Sequence, residues 1–129
     1  MDRGTDISGL GSNGGGSAPE ENWSWDKPYS HIRTCNILLE KAEAYDGSQS
    51  DIAQSVGTAY FFRAWQHFYL LQHFGGVPIS DHVLTVSDGV LQAPRNSRYE
   101  VAAFIMSDLR EAVSTYLKRQ KSRKEAKEK

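Results

Sequence analysis

GTAYFFRAWQHFYLLQHFGGVPI, residues Gly57 to Ile79, joins an unusually aromatic helical run to an abrupt Gly-Gly-Val-Pro stop. The spacing predicts a helix over residues 51–74, opening at Ser50 or Asp51, with Ile52, Val56, Ala59, Tyr60, Ala64, His67, Phe68 and Leu71 on its strongest apolar face. Phe61, Phe62, Trp65, Tyr69 and Leu70 widen that face beyond what one neighbouring helix covers, so this helix expects partners on two sides. Gly57 costs about 1 kcal/mol relative to Ala inside a helix, which points either to close helix-helix approach or to fraying near the first turn. Gly75 suits the left-handed cap position, and Pro78 prevents the helix from resuming.

Working outward, a first helix is predicted over residues 26–44, with Asp26 as N-cap and Pro28 tolerated in the first turn. Its stripe is Tyr29, Ile32, Cys35, Leu38, Leu39 and Ala42, and Asp46-Gly47-Ser48 makes the turn that follows. A third helix is predicted over residues 98–117. It opens with Ser97-Arg98-Tyr99-Glu100, a capping box, and presents Val101, Phe104, Ile105, Leu109, Ala112, Val113 and Tyr116 to a core, leaving Asp108, Arg110 and Glu111 outside. Between the second and third helices, only Val83 to Val86 reads as a short extended run.

The 129-residue chain is long enough for one core and short for two. Gly supplies six of the first sixteen residues, so residues 1–21 read as a flexible segment. Lys118 to Lys129 holds seven basic and two acidic residues, whereas the preceding body carries eight and fourteen, so a basic tail follows an acidic body. No basic stripe or recognised motif accompanies that tail, and a nucleic-acid partner is not expected. The tail prolongs the third helix, on this reading, without packing. The single cysteine, Cys35, excludes an internal disulfide and reads as a small buried helix residue. Met1 is not followed by the apolar stretch of a signal peptide, and no window approaches the ~20 apolar residues that span a bilayer.

Catalytic chemistry finds no support. Glu40 with Glu43, and Asp108 with Glu111, lie at helical spacing as solvated charges. His31, His67, His73 and His82 form no pair that would clamp a metal on a helix face, and they read as core-edge or surface groups. No nucleophile elbow, Walker loop or dinucleotide fingerprint occurs, so neither a metal nor a cofactor is expected. Trp23 and Trp25 carry two readings. Their rings can stack on sugar faces while Glu21, Asn22 and Asp26 bind hydroxyls, or one of them staples the first helix onto the second. Arg63, set among apolar neighbours, reads as a buried ion-pair partner.

Three ordered motifs point to a family. They are Trp-x-x-x-Tyr-x-x-Ile-Arg-x-x-Asn from Trp25, Gly-x-Ala-Tyr-Phe-x-Arg-Ala-Trp from Gly57 with its Phe-Gly-Gly-Val-Pro stop, and Arg-x-Ser from Arg95 followed by Phe-Ile-x-x-Asp-Leu-x-x-Ala from Phe104. Together they resemble the N-terminal part of SusD/RagB-type nutrient-uptake proteins of the Bacteroidetes outer membrane. The resemblance implies an all-α, tetratricopeptide-like helical repeat, represented here by one helix pair and one helix of the next. It also implies a non-catalytic surface lipoprotein that binds glycans or other oligomeric nutrients and partners a SusC-like TonB-dependent transporter.

Departures from the family pattern set further expectations. Residues 22–117 read as a partial SusD-like helical domain, and residues 118–129 as sequence foreign to the family, as a truncated or frameshifted reading frame would give. The resemblance implies outer-membrane localisation through a lipid anchor that this chain does not carry, Cys35 lying inside a helix motif. With its neighbours missing, the helical unit should expose apolar surface and associate. The alternative is a free-standing helical-repeat module whose groove receives a protein partner.

Overall fold

The computed structural model describes residues 23–84 and 94–128. Its elements are α1 (Trp23–Glu43), α2 (Gln49–Phe74) and α3 (Arg98–Glu128), an all-helical arrangement in which α2 packs against both other helices. The Gly-rich segment 1–21, the side chain of Trp23 and residues 85–86 of the expected extended run lie outside the described residues. Val83 and Leu84 form no strand.

The helices are those the periodicity predicts, with shifted ends. α1 starts at Trp23, so Asp26 lies in the first turn instead of capping it, and Pro28 sits inside the helix. Trp25 packs on Tyr29 one turn later, with ring centroids 5.1 Å apart, and this contact favours helical backbone ahead of the proline. α2 starts at Gln49 after an extended Ser48 that makes no side-chain cap bond. α3 runs to Glu128, eleven residues beyond the predicted end at 117. Lys, Arg, Gln, Glu and Ala dominate that extension, all strong helix formers, and cations near the C-terminus suit the helix dipole. Nor does the tail lie free. Arg119, Gln120 and Ser122 are half-buried, and Arg119 and Ser122 line a cleft shared with α1 and α2.

The capping box forms as expected: the Ser97 N–H donates to Glu100 Oε1 at 2.8 Å, and the Glu100 N–H to Ser97 Oγ at 3.1 Å. The two glycines of the stop have separate tasks. Gly75 closes α2 with φ 74° and ψ −131°, its N–H donating to Leu71 O at 2.9 Å. The positive φ is the expected one, but the ψ is extended and not left-handed helical, which sends the chain away from the helix at once. Gly76 lies against the backbone carbonyl of Asn96, where a Cβ would collide. Asn96 then pairs with this segment, donating its N–H to Val77 O at 3.1 Å and accepting from the Ile79 N–H at 3.0 Å.

The core is built from Tyr29 and Ile32 of α1, Ala64 and Leu70 of α2, Val77 of the connecting segment, and Val101 and Ile105 of α3. On α2 the buried face carries small and polar residues: Ala53, Gly57, Ala59, Arg63, Ala64 and His67, with Leu70. Gly57 resolves to close approach, since a Cβ there would lie 3.5 Å from the Ala112 carbonyl oxygen and 3.7 Å from Thr115 Cβ of α3. The wide aromatic face turns outward. Phe61, Phe62, Trp65 and Phe68 are about half-exposed, although Phe68 was expected on the core face, and Val113 and Tyr116 of α3 are likewise exposed. Small side chains let α1 and α3 come close along one stripe, which leaves the bulky flank uncovered.

Candidate functional site

A buried polar cluster joins the three helices. Arg63 reaches from the middle of α2 to Asp108 of α3 through a two-pronged contact, Nε to Oδ2 and Nη2 to Oδ1, both 2.8 Å. Its remaining nitrogen, Nη1, donates to Asn36 Oδ1 of α1 at 2.9 Å. The guanidinium lies between two rings, 5.4 Å from the centroid of Tyr60 and 5.0 Å from that of Phe104. Arg63 and Asp108 are only 6% and 2% exposed, so each charge depends on the other to be tolerated there. Burial pushes the Asp108 carboxyl up, opposed by the hydrogen bonds and charge of Arg63. Burial also pulls the guanidinium down, yet Asp108 outweighs it and keeps Arg63 protonated.

The cluster also holds the segment after α2. Asn36 Nδ2 donates to the His82 carbonyl at 3.0 Å and to Ser80 Oγ at 3.2 Å, and Tyr29 donates its hydroxyl proton to Pro78 O at 2.6 Å. His67, fully buried, bridges helix and segment: Nδ1 faces the Arg63 carbonyl at 3.0 Å, and Nε2 accepts the Ser80 N–H at 3.2 Å. That acceptor role fixes the neutral tautomer with the proton on Nδ1. Burial accordingly lowers the imidazole to a pKa of about 4. Burial raises the Tyr29 phenol and the Cys35 thiol, leaving neither ionised near neutral pH. The side-chain polar atoms of Asn36, Arg63, His67 and Asp108 are engaged with one another, with backbone and with the segment after α2, which is the signature of a positioning device.

Above the cluster opens a depression of about 830 Å³ whose walls include Tyr60, Phe104, Glu40, Glu43, Asp81 and Glu111. Asp81 is held low by its hydrogen bond to His82, and burial followed by the Glu111 charge raises Tyr60. Among the described residues, no group of three or more His, Cys, Asp or Glu is placed to hold a metal, and no helix is long and apolar enough to cross a membrane.

Several sequence expectations change here. Asp108, read as a solvated partner of Glu111, is the buried counter-ion of Arg63. Its spacing from Val101 and Ile105 puts it in phase with the α3 core stripe, a signal its charge masked. His67 is central to the core and not at its edge, in phase with Arg63 one turn earlier. Arg63 itself is the ion-pair partner its neighbours implied. Trp25 staples α1 to α2: its ring centroid lies 5.1 Å from Phe74, edge to face, and the Arg95 guanidinium sits 5.4 Å above it.

Comparison with known proteins adds the relatives. Residues 17–124 match a SusD-like family profile described as starch-binding and associating with the outer membrane, so the match takes in much of the basic tail. Two SusD-like proteins of Formosa agariphila are similar. One is 36% identical over 96 residues, covering 71% of this chain and 18% of the relative; the other is 28% identical over 79 residues, covering 59% and 16%. A crystal structure of a SusD-like protein from Bacteroides fragilis superimposes with a TM-score of 0.66 at 31% identity, over 75% of this chain and 19% of that one. The chain thus spans less than a fifth of the length of these relatives.

Proposed function

The chain belongs to the SusD-like family, and on that premise we propose that it contributes to the glycan-binding component of a TonB-dependent nutrient-uptake complex at the bacterial surface. The family is one of non-catalytic, starch- or glycan-binding proteins associated with the outer membrane, with the tetratricopeptide-like helical fold found here. The observation that supports the reading is the family match along residues 17–124. Asn36, Arg63 and Asp108, which interlock the three helices, fall within it. A scaffold locked in this way holds a ligand by shape, ring stacking and hydrogen bonds, and needs no reactive group. The partner in this reading is a SusC-like transporter, and the complete protein is held to the membrane by a lipid anchor.

Native gel electrophoresis through immobilised starch and a panel of other polysaccharides tests the reading. Retardation that saturates and is competed by the soluble oligosaccharide supports it; unchanged mobility on every polysaccharide rejects it. Trp23 and Trp25 enter this reading as aromatic ligand candidates. Trp25→Ala should lower the melting temperature, because it removes the staple on Phe74. A loss of retardation in Trp23→Ala without a loss of stability would assign that residue to the ligand.

A further inference from the structure

A second cleft lies away from the Arg63 cluster, where the basic end of α3 meets the N-terminal half of α2 and the middle of α1. It holds about 710 Å³, with Cys35 and Leu38 of α1 among its apolar lining. Apart from Thr34 and Ser50, which hydrogen-bond to Ser30 O and Ser48 Oγ, its polar side chains differ from those of the core in one respect. Asn36, Arg63 and Asp108 have their hydrogen bonds filled by one another. Asp51, Gln54, Thr58, Arg119 and Arg123, by contrast, make no side-chain hydrogen bond or ion pair among the described residues. Five polar side chains free of such partners, all exposed except half-buried Arg119, therefore border one concavity beside Phe62, a residue 48% exposed whose ring meets that of Phe61 edge to face.

The chemistry of that set selects a ligand class. A half-exposed phenyl ring at the cleft wall offers apolar surface to the C–H face of a pyranose, and Asp51, Gln54 and Thr58 offer acceptors and donors for its hydroxyls. Two guanidiniums face a single carboxylate, so the cleft carries surplus positive charge in planar, forked donors that fit a carboxylate or sulfate oxygen pair. We propose that this cleft binds an oligosaccharide bearing an anionic substituent, with Phe62 under a sugar ring and Arg119 and Arg123 on the anionic group. The proposal rests on the glycan-binding reading and deepens it, naming a site and a charge preference. The basic end of α3 then has a purpose that a solvated tail would not require.

Isothermal titration of the full 129-residue chain with three probes tests it: oligogalacturonate, a sulfated galactan oligosaccharide, and neutral maltoheptaose. The anionic probes should bind about tenfold more tightly than maltoheptaose at low salt, as one charge-assisted contact provides. Their relative strengths separate carboxylate from sulfate recognition. In Arg119→Gln/Arg123→Gln the anionic preference should vanish, and Phe62→Ala should weaken all three probes. Circular dichroism melts of both variants, which alter exposed or half-buried positions, verify that the fold persists. Amide shifts confined to residues 51–62 and 119–126 would locate the ligand. Equal affinity for anionic and neutral probes, or binding unchanged by the double variant, overturns this site and leaves the glycan-binding reading standing. Absence of binding by every saccharide overturns both.

Discussion

Arg63 shows how a single charged residue organises this chain. Its two-pronged contact with Asp108 and its bond to Asn36 draw on all three helices, and both charges are buried. Arg63→Met should therefore cost about 3–5 kcal/mol in urea unfolding, because it strands Asp108 as an unpaired buried carboxylate. Adding Asp108→Leu should recover a large part of the loss; a double variant as unstable as the single one would contradict the ion-pair account. His67 gives the residue-scale pH dependence. Its folded pKa of about 4 lies below the unfolded value near 6.5, so the unfolded chain binds the extra proton between those limits. Stability is fully present above pH 6.5 and falls as pH drops toward 4, by up to about 3 kcal/mol. Denaturation midpoints measured across that window should show the slope, and the imidazole carbon-bound protons of His67 should not titrate in the folded protein above about pH 5.

At the scale of elements, the helix ends and the Gly57 crossing are where single substitutions separate local from tertiary effects. Gly57→Ala should raise stability by up to about 1 kcal/mol, since the added methyl meets α3 at ordinary contact distance while the helix gains propensity. Gly75→Ala should act in the opposite direction by about 1–3 kcal/mol, because φ 74° is unfavourable for an L side chain and a Cβ would sit 3.0 Å from Arg98 Nε. Thermal melts of the two variants should thus move apart. If Gly57→Ala destabilises instead, the α2–α3 approach is tighter than the backbone geometry implies. Loss of the capping box through Ser97→Ala should cost about 1 kcal/mol and fray the start of α3, read as lost amide protection at Tyr99 and Glu100.

Across the whole molecule, the distribution of large apolar side chains is uneven. Phe61, Phe62, Trp65 and Phe68 on α2, with Met106, Val113, Tyr116 and Leu117 on α3, are about half-exposed. Phe61, Phe62, Val113 and Tyr116 share one depression, and Val113 continues into another with Met106 and Leu117. The six that line these two linked depressions, at on the order of 100 Å² apiece, leave roughly 600 Å² of adjoining apolar surface, at the upper end of the ~300–600 Å² patch usual on a monomer. Light scattering at rising concentration should show self-association of the chain, with bound hydrophobic dye. Phe61→Ser/Trp65→Ser should reduce both. A strictly monomeric, dye-free protein would reject this reading.

Legibility from sequence divided along physical lines. The three helices and their punctuation were readable because period, the Ser97–Glu100 box, the Gly75 stop and Pro78 act through neighbours within a turn or two of the chain. The apolar period alone stops α3 at residue 117, whereas helix propensity, which needs no apolar face, carries it to Glu128, and that the tail packs at Arg119, Gln120 and Ser122 is visible only in the fold. The family was legible in motifs that turn out to contain Asn36, Arg63 and Asp108, although their joint role was not. The inward face of α2 was partly legible, since Ala59, Ala64 and His67 of its expected strongest face are buried, whereas the outward turn of Phe68 and of the widening rings Phe61, Phe62 and Trp65 was a tertiary decision. A wheel of aromatic residues predicts burial by area, but two helices can approach closely only along Gly57, Ala64 and the stripe beside them, and the rings were left outside. Likewise Asp108 looked solvated because a carboxylate alone belongs in water. Only the fold sets it 2.8 Å from an arginine 45 residues earlier, where the pair satisfies a charge that neither residue's local sequence could.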